Sequence, residues 1–266
     1  MLLRINHTTR YHYAVPASYA LLQIRLRPIT TPAQTVLTWS LDLEGADTQA
    51  QFSDQFGNLV DLVLLQPNAN DVAISFSGEI ETHPSSGVVG VHSEVMPLWY
   101  YRRQTVLTRA EVGITEVLKM LGTVEPGDVQ ALHRLSTMIR DRVTYETGQT
   151  DTFTTAETAL SAGRGVCQDH SHIFISAARE IGFPARYVSG YLMMNDRVDQ
   201  DASHAWAEAF VEGLGWVGFD ISNGISPDER YVKIAHGLDY GDAAPSSGVI
   251  IGAQQENLIV SIQVQQ

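Results

Sequence analysis

The chain is short of cysteine, of basic residues and of long apolar runs, and each shortage narrows what it can be. A single cysteine, Cys167, among 266 residues rules out an internal disulfide. Lys and Arg number 17 against 30 Asp and Glu, a formal net charge of −13. The acidic residues are scattered rather than blocked, so they read as a solvated surface. With no basic face to meet phosphates, nucleic acid is not expected as a partner. No stretch approaches the ~20 continuous apolar residues of a membrane helix, so no membrane partner is expected either. The opening "MLLRINHTTRYHY" has no basic segment followed by an apolar run, and a cytoplasmic location is expected, where a lone thiol stays reduced.

What is present suits a globular protein. Hydrophobic residues make up 44% and charged residues 18%, enough for a sizeable core in one large or two ordinary domains. Over residues 1–102 the apolar pattern has period two. In "LLQIRLRP", Leu22, Ile24 and Leu26 share one face, and Gln23, Arg25 and Arg27 the other. "TVLTWSLDL" sets Leu37, Trp39, Leu41 and Leu43 against Val36, Thr38 and Ser40, and "DVAISFSGEIE" aligns Val72, Ile74 and Phe76. Asp54, Gly57 and Asn58 mark a turn between strands. Such spacing predicts an antiparallel β domain of the sandwich type, in which His7 and His12 are ordinary surface or core residues.

Residues 103–266 read differently. Val112, Val117 and Leu121 form one helical stripe; Val129, Leu132, Leu135, Ile139 and Val143 form another, with Asp128 as its cap. Thr154 and Glu157 stand in capping-box spacing before a helix that closes at Gly163. A further helix carries Ile173, Ala177 and Ile181 and stops at Gly182. Strands follow in "ARYVSGYLMM", "HAWAEAFV" and "GWVGFDI", the last two joined through "EGLG" as a hairpin. Helices first and antiparallel strands after predict an α+β domain, with the alternating tail "NLIVSIQVQQ" as its edge strand.

Cys167 lies between Gly165 and that helical stripe, hence in a first helical turn. Unpaired N–H groups there stabilise a thiolate and can hold an oxyanion. A thiolate needs a base, and the base an orienting acceptor. His204 opens the strand "HAWAEAFV" after a polar loop, and Asp220 ends "GWVGFD" across the hairpin, so both come to the same end of it.

These segments, "GRGVCQDHSHIFISAAREIGFPARYVSGYL" and "SHAWAEAFVEGLGWVGFDISNG", closely resemble the transglutaminase-like superfamily, above all its bacterial branch. "IRLRP" and "DQFGN" resemble the N-terminal β domain of that branch, so the likeness spans nearly the whole chain. The resemblance implies a papain-like α+β core, residues 103–266, preceded by an antiparallel β domain, residues 1–102. It implies Cys167 as nucleophile, His204 as general base and acid, Asp220 as orienter, and acyl transfer at a peptide or amide substrate. The chain departs from the family at Ile221-Ser222-Asn223, where Pro or Ala before Thr-Asn is usual, and at Leu238, where arginine is common.

Cys167, His170 and His172 form C-x-x-H-x-H, but His172 does not share a helix face with the other two, so no metal site closes locally and neither metal nor cofactor is expected. Asp169 serves the helix start, and Trp206 and Glu208 share the strand face of His204. Tyr145, upstream of the cysteine helix, is a candidate second oxyanion donor. The open alternatives are hydrolysis against amine transfer, and a binding module that keeps the fold without catalysis.

Overall fold

The computed structural model describes residues 1–93, 95–252 and 254–266, with backbone alone at 254–256. The chain begins with strands β1 (Leu2–Val15), β2 (Tyr19–Arg27), β3 (Gln34–Glu44), β4 (Ala46–Ser53), β5 (Leu59–Leu65), β6 (Asp71–Thr82) and β7 (Val88–Gly90). Helices α1 (Val112–Leu121) and α2 (Val129–Arg140) follow, then β8 (Thr144–Tyr145), α3 (Ala156–Ala162), β9 (Arg164–Gly165) and α4 (Cys167–Glu180). Next come β10 (Ala185–Leu192), β11 (Asp199–Gln200), β12 (His204–Val211), β13 (Gly215–Phe219) and β14 (Tyr231–Gly237). The chain closes with α5 (Tyr240–Ala243), β15 (Ser246–Ile251) and β16 (Gln254–Gln265). The fold is mixed α and β with mostly antiparallel sheets, as the two sequence periods predict.

Two sheets, ordered β11-β16-β1-β6-β3 and β15-β2-β5-β4, form the sandwich. Its core is the predicted alternating set: Leu22, Ile24 and Leu26 face Val72, Ile74 and Phe76 in one buried cluster with Leu3 and Ile5. In β3 the alternation breaks. A bulge between Val36 and Thr38 leaves Leu37 out of the ladder and 49% exposed, while Trp39, Leu41 and Leu43 keep the inner face.

The last strands are not an edge of the second half. β16 runs antiparallel to β1 from Arg4 to Val15, between β1 and β11, and β15 pairs with β2. Conversely β7 pairs with β13. A division at residue 102 with the terminal strand in the second domain therefore does not describe the pairing: the end of the chain completes the first sandwich.

The third sheet, β14-β10-β12-β13-β7, carries the helices. Asp128 caps α2 by accepting the Ala131 N–H, and Leu132, Leu135 and Ile139 are its buried stripe. In α1 the buried positions are Ile114 and Val117, while Val112, at the first turn, is 73% exposed. The expected capping box resolves otherwise. Thr155, not Thr154, caps α3, and the Glu157 carboxylate crosses to α1, accepting N–H bonds from Glu111 (2.7 Å), Gly113 (3.0 Å) and Ile114 (2.8 Å). It satisfies three of the first-turn donors that a helix leaves unpaired.

β14 is an edge strand, and the sandwich covers it. Gln34 donates to the Lys233 carbonyl and accepts its N–H, each at 2.8 Å. Asn58 does the same for His236, at 2.8 and 2.9 Å. The "DQFGN" turn aims Asn58: Asp54 Oδ1 accepts the N–H groups of Phe56 and Asn58. Two amide side chains thus replace a neighbouring strand and join the halves.

Candidate functional site

Cys167 is the first residue of α4, and the turn before it is built tightly. α3 ends at Gly163 in the left-handed conformation (φ 66°), and β9 then pairs in parallel with β8. Asp169 Oδ2 accepts the Val166 N–H (2.8 Å) and the Thr150 hydroxyl (2.7 Å), closing the helix start as expected of that carboxylate. Burial raises the Asp169 pKa against these bonds. A Cβ on Gly165 would stand 2.7 Å from the same carboxylate, so only glycine fits there. Behind the cysteine α4 is buried from Gln168 to Arg179, and the Arg179 guanidinium reaches the carbonyls of Tyr101, Ala185 and Leu238. Cys167 keeps partial exposure at the tip of a rigid helix.

β12 and β13 bring the other two residues to it. The observed register, Ala207 opposite Phe219 and Val211 opposite Gly215, places Asp220 opposite Trp206 when continued by one residue. His204 is the diagonal neighbour on the same face. His204 Nε2 donates to Asp220 Oδ2 at 2.6 Å, and Cys167 adjoins the same ring, near enough to act on its protonation. With Nε2 committed, Nδ1 is the nitrogen left to face sulfur. Burial works to lower the His204 pKa, but the bonds to Asp220 and Cys167 and their negative charge outweigh it and raise it to about 10. The structure therefore brings Cys167, His204 and Asp220 together in the order thiol, imidazole, carboxylate.

Asp220 has further donors that the sequence did not disclose. Its Oδ2 also accepts the Asn223 side-chain amide and the Tyr231 hydroxyl, both at 2.7 Å, while Oδ1 accepts the Asn223 N–H at 3.1 Å. Burial would raise the Asp220 pKa, yet these donors with His204 hold it below the usual carboxylate range. Asn223 lies in the turn after Asp220 and was visible as sequence. Tyr231 opens β14, and only sheet packing brings it here.

His204, Tyr145, Ser222, Asn223, Tyr231 and Met193 line a cleft of about 1000 Å³. The β8–β9 ladder ties Tyr145 to the segment just before Cys167. Burial, then the negative charge of Cys167 and Asp220, pushes the Tyr145 phenol up to about 12, so it remains a donor at neutral pH. Trp206 is buried and packs edge-to-face against Tyr231, as a core indole. Glu208 lies deeper on the same strand face, ion-paired to Arg186 (2.6 Å) and Lys233 (2.8 Å).

His170 and His172 pack around α4. His172 accepts the Tyr240 N–H at 3.1 Å, and His170 bonds Val143 and Ser222. Among the described residues no three His, Cys, Asp or Glu side chains converge as metal ligands, and no helix is long and apolar enough to cross a membrane. His7 is buried against Tyr191 (2.8 Å), and His12 is an exposed partner of Asp71 (2.7 Å). Of the two departures, Leu238 is buried and accepts from Arg179, and Ser222 lines the cleft.

Comparison with known proteins places the fold and the two sequence regions. A solved structure of a candidate cysteine protease from Cytophaga hutchinsonii superposes with a TM-score of 0.77 at 20% identity, covering 100% of this chain and 98% of that one; this is a likeness of fold. The uncharacterized protein ML0607 of Mycobacterium leprae is 27% identical over 98% of both chains. Rv2569c of Mycobacterium tuberculosis, also uncharacterized, is 27% identical over 98% of this chain and 91% of its own. The family model of the bacterial transglutaminase-like N-terminal region matches residues 3–81, and that of the transglutaminase-like superfamily core matches residues 119–221, spanning Cys167, His204 and Asp220. The chain thus carries a transglutaminase-like superfamily core at residues 119–221 and a bacterial transglutaminase-like N-terminal region at residues 3–81.

Proposed function

We propose that the protein is a cysteine-dependent acyl-transfer enzyme acting on amide bonds, with water as the usual acceptor: a peptidase or amidase. The observation that carries this reading is the His204–Asp220 hydrogen bond beside Cys167, with His204 lining the cleft. In this reading Cys167 attacks as the thiolate of an ion pair with protonated His204. A carbon–sulfur bond forms, and the carbonyl oxygen takes up negative charge beside the first N–H groups of α4, with Tyr145 as the second donor. His204 passes its proton to the leaving nitrogen as the carbon–nitrogen bond breaks, which leaves a thioester. Water then gives a proton to His204 and attacks the thioester; the carbon–sulfur bond breaks, and the thiolate–imidazolium pair is restored. Asp220 holds the ring in one tautomer and stabilises its charge throughout.

A screen of amide acyl donors, with and without an added primary amine, tests the reading. Turnover that Cys167→Ala abolishes, with released acid as the main product, is the expected outcome. Product carried mainly by the amine would make the chain a transferase. Failure of Cys167 to react with iodoacetamide faster than a free thiol at pH 6 would sink the ion pair, and with it the enzyme reading, in favour of a binding module.

A further inference from the structure

The proton positions around His170 can be deduced. His170 Nε2 lies 3.0 Å from the Val143 carbonyl oxygen, which has no proton to give, so Nε2 carries the N–H. The ring is buried, and burial lowers its pKa, so the imidazole is neutral and has one N–H only. Nδ1 is then a lone pair. Ser222 Oγ, 2.8 Å from Nδ1, donates its only proton to it. What Ser222 retains is acceptor capacity alone.

That acceptor lines the cleft beside His204. Its position is fixed by a turn in which the Gly224 N–H reaches the Asp220 carbonyl at 2.9 Å and the Asn223 N–H reaches Asp220 Oδ1 at 3.1 Å. We propose that Ser222 is a one-way hydrogen-bond acceptor for the N–H of the scissile amide, so that it selects amide over ester donors and holds the leaving nitrogen beside His204. The inference rests on the catalytic reading above. An ordinary serine hydroxyl rotates and can offer its proton to an ester oxygen. Here the proton is spent on His170, so an ester oxygen meets lone pairs, whereas an amide N–H finds a fixed partner.

The test compares kcat/KM for the p-nitroanilide and the p-nitrophenyl ester of succinyl-tri-alanine. Ser222→Ala is expected to lower the amide-to-ester ratio roughly five- to ten-fold, the range of one neutral hydrogen bond. Ser222→Thr, which keeps the hydroxyl, is expected to preserve the ratio, and His170→Phe, which frees the serine proton, to lower it by raising the ester rate. Equal losses on both donors, or an unchanged ratio in Ser222→Ala, would overturn the assignment of Ser222. Absence of Cys167-dependent turnover on either donor would overturn the catalytic reading itself. Thermal melts of each variant separate these outcomes from misfolding.

Discussion

At the scale of single residues, the proposed chemistry depends on how Asp220 is solvated by protein instead of water. Three hydrogen-bond donors converge on one carboxylate oxygen, which keeps it charged in a buried place and lets it raise the His204 pKa. A histidine pKa raised to about 10 adds stability that is fully present below the unfolded value near 6.5 and is lost as pH rises through about 10. Asp220→Asn should therefore destabilise the protein more at pH 6 than at pH 10.5, as read from urea unfolding. Equal losses at both pH values would contradict the charge linkage. On any donor the wild type accepts, the same variant is expected to lower kcat by roughly ten-thousand-fold through loss of the tautomer.

At the scale of elements, carboxylates set how helices and strands meet. Glu157 lies on α3 yet caps α1, and Gly113 allows the approach, since a Cβ there would lie 2.7 Å from Glu157 Oε2. Glu157→Ala is expected to cost about 1–2 kcal/mol, visible as a lower urea midpoint. Glu208 clasps β12 to β10 through Arg186 and to β14 through Lys233. Burial alone would raise its pKa, but the two cations lower it to about 2. Its contribution is present above the unfolded value near 4.5 and is lost as pH falls through about 2. Glu208→Ala leaves Arg186 and Lys233 without this anion and is expected to cost about 3–5 kcal/mol at neutral pH. That loss should shrink as the unfolding measurement moves from pH 7 to pH 3.

At the scale of the whole molecule, the sandwich and the helix-bearing half are one piece of construction. β16 returns to pair with β1, β7 reaches into the third sheet, and Gln34 and Asn58 close the edge of β14. Asn58→Ala would leave the His236 N–H and carbonyl without their side-chain partner, at about 1–3 kcal/mol for each buried group. It is expected to lower the urea midpoint of the whole chain in one transition, whereas two separated transitions would show that the halves unfold independently. Much of this was legible in sequence because its causes are local. Period-two alternation is enforced by the pleat, and the hairpin register follows from a glycine turn, so the meeting of His204 with Asp220 is legible in the sequence. Leu37, Glu157 and the terminal strand depart from their local pattern because a bulge, a cap between two helices and a long-range pairing leave no local signal. Tyr231 on Asp220 and His170 on Ser222 belong to the same class: each is decided by elements far apart in the chain. The sequence by itself determined which residues could do the chemistry, since side-chain type and spacing are written there. Only the tertiary structure decided which protons and charges each of them meets, because those depend on partners that packing alone brings within reach.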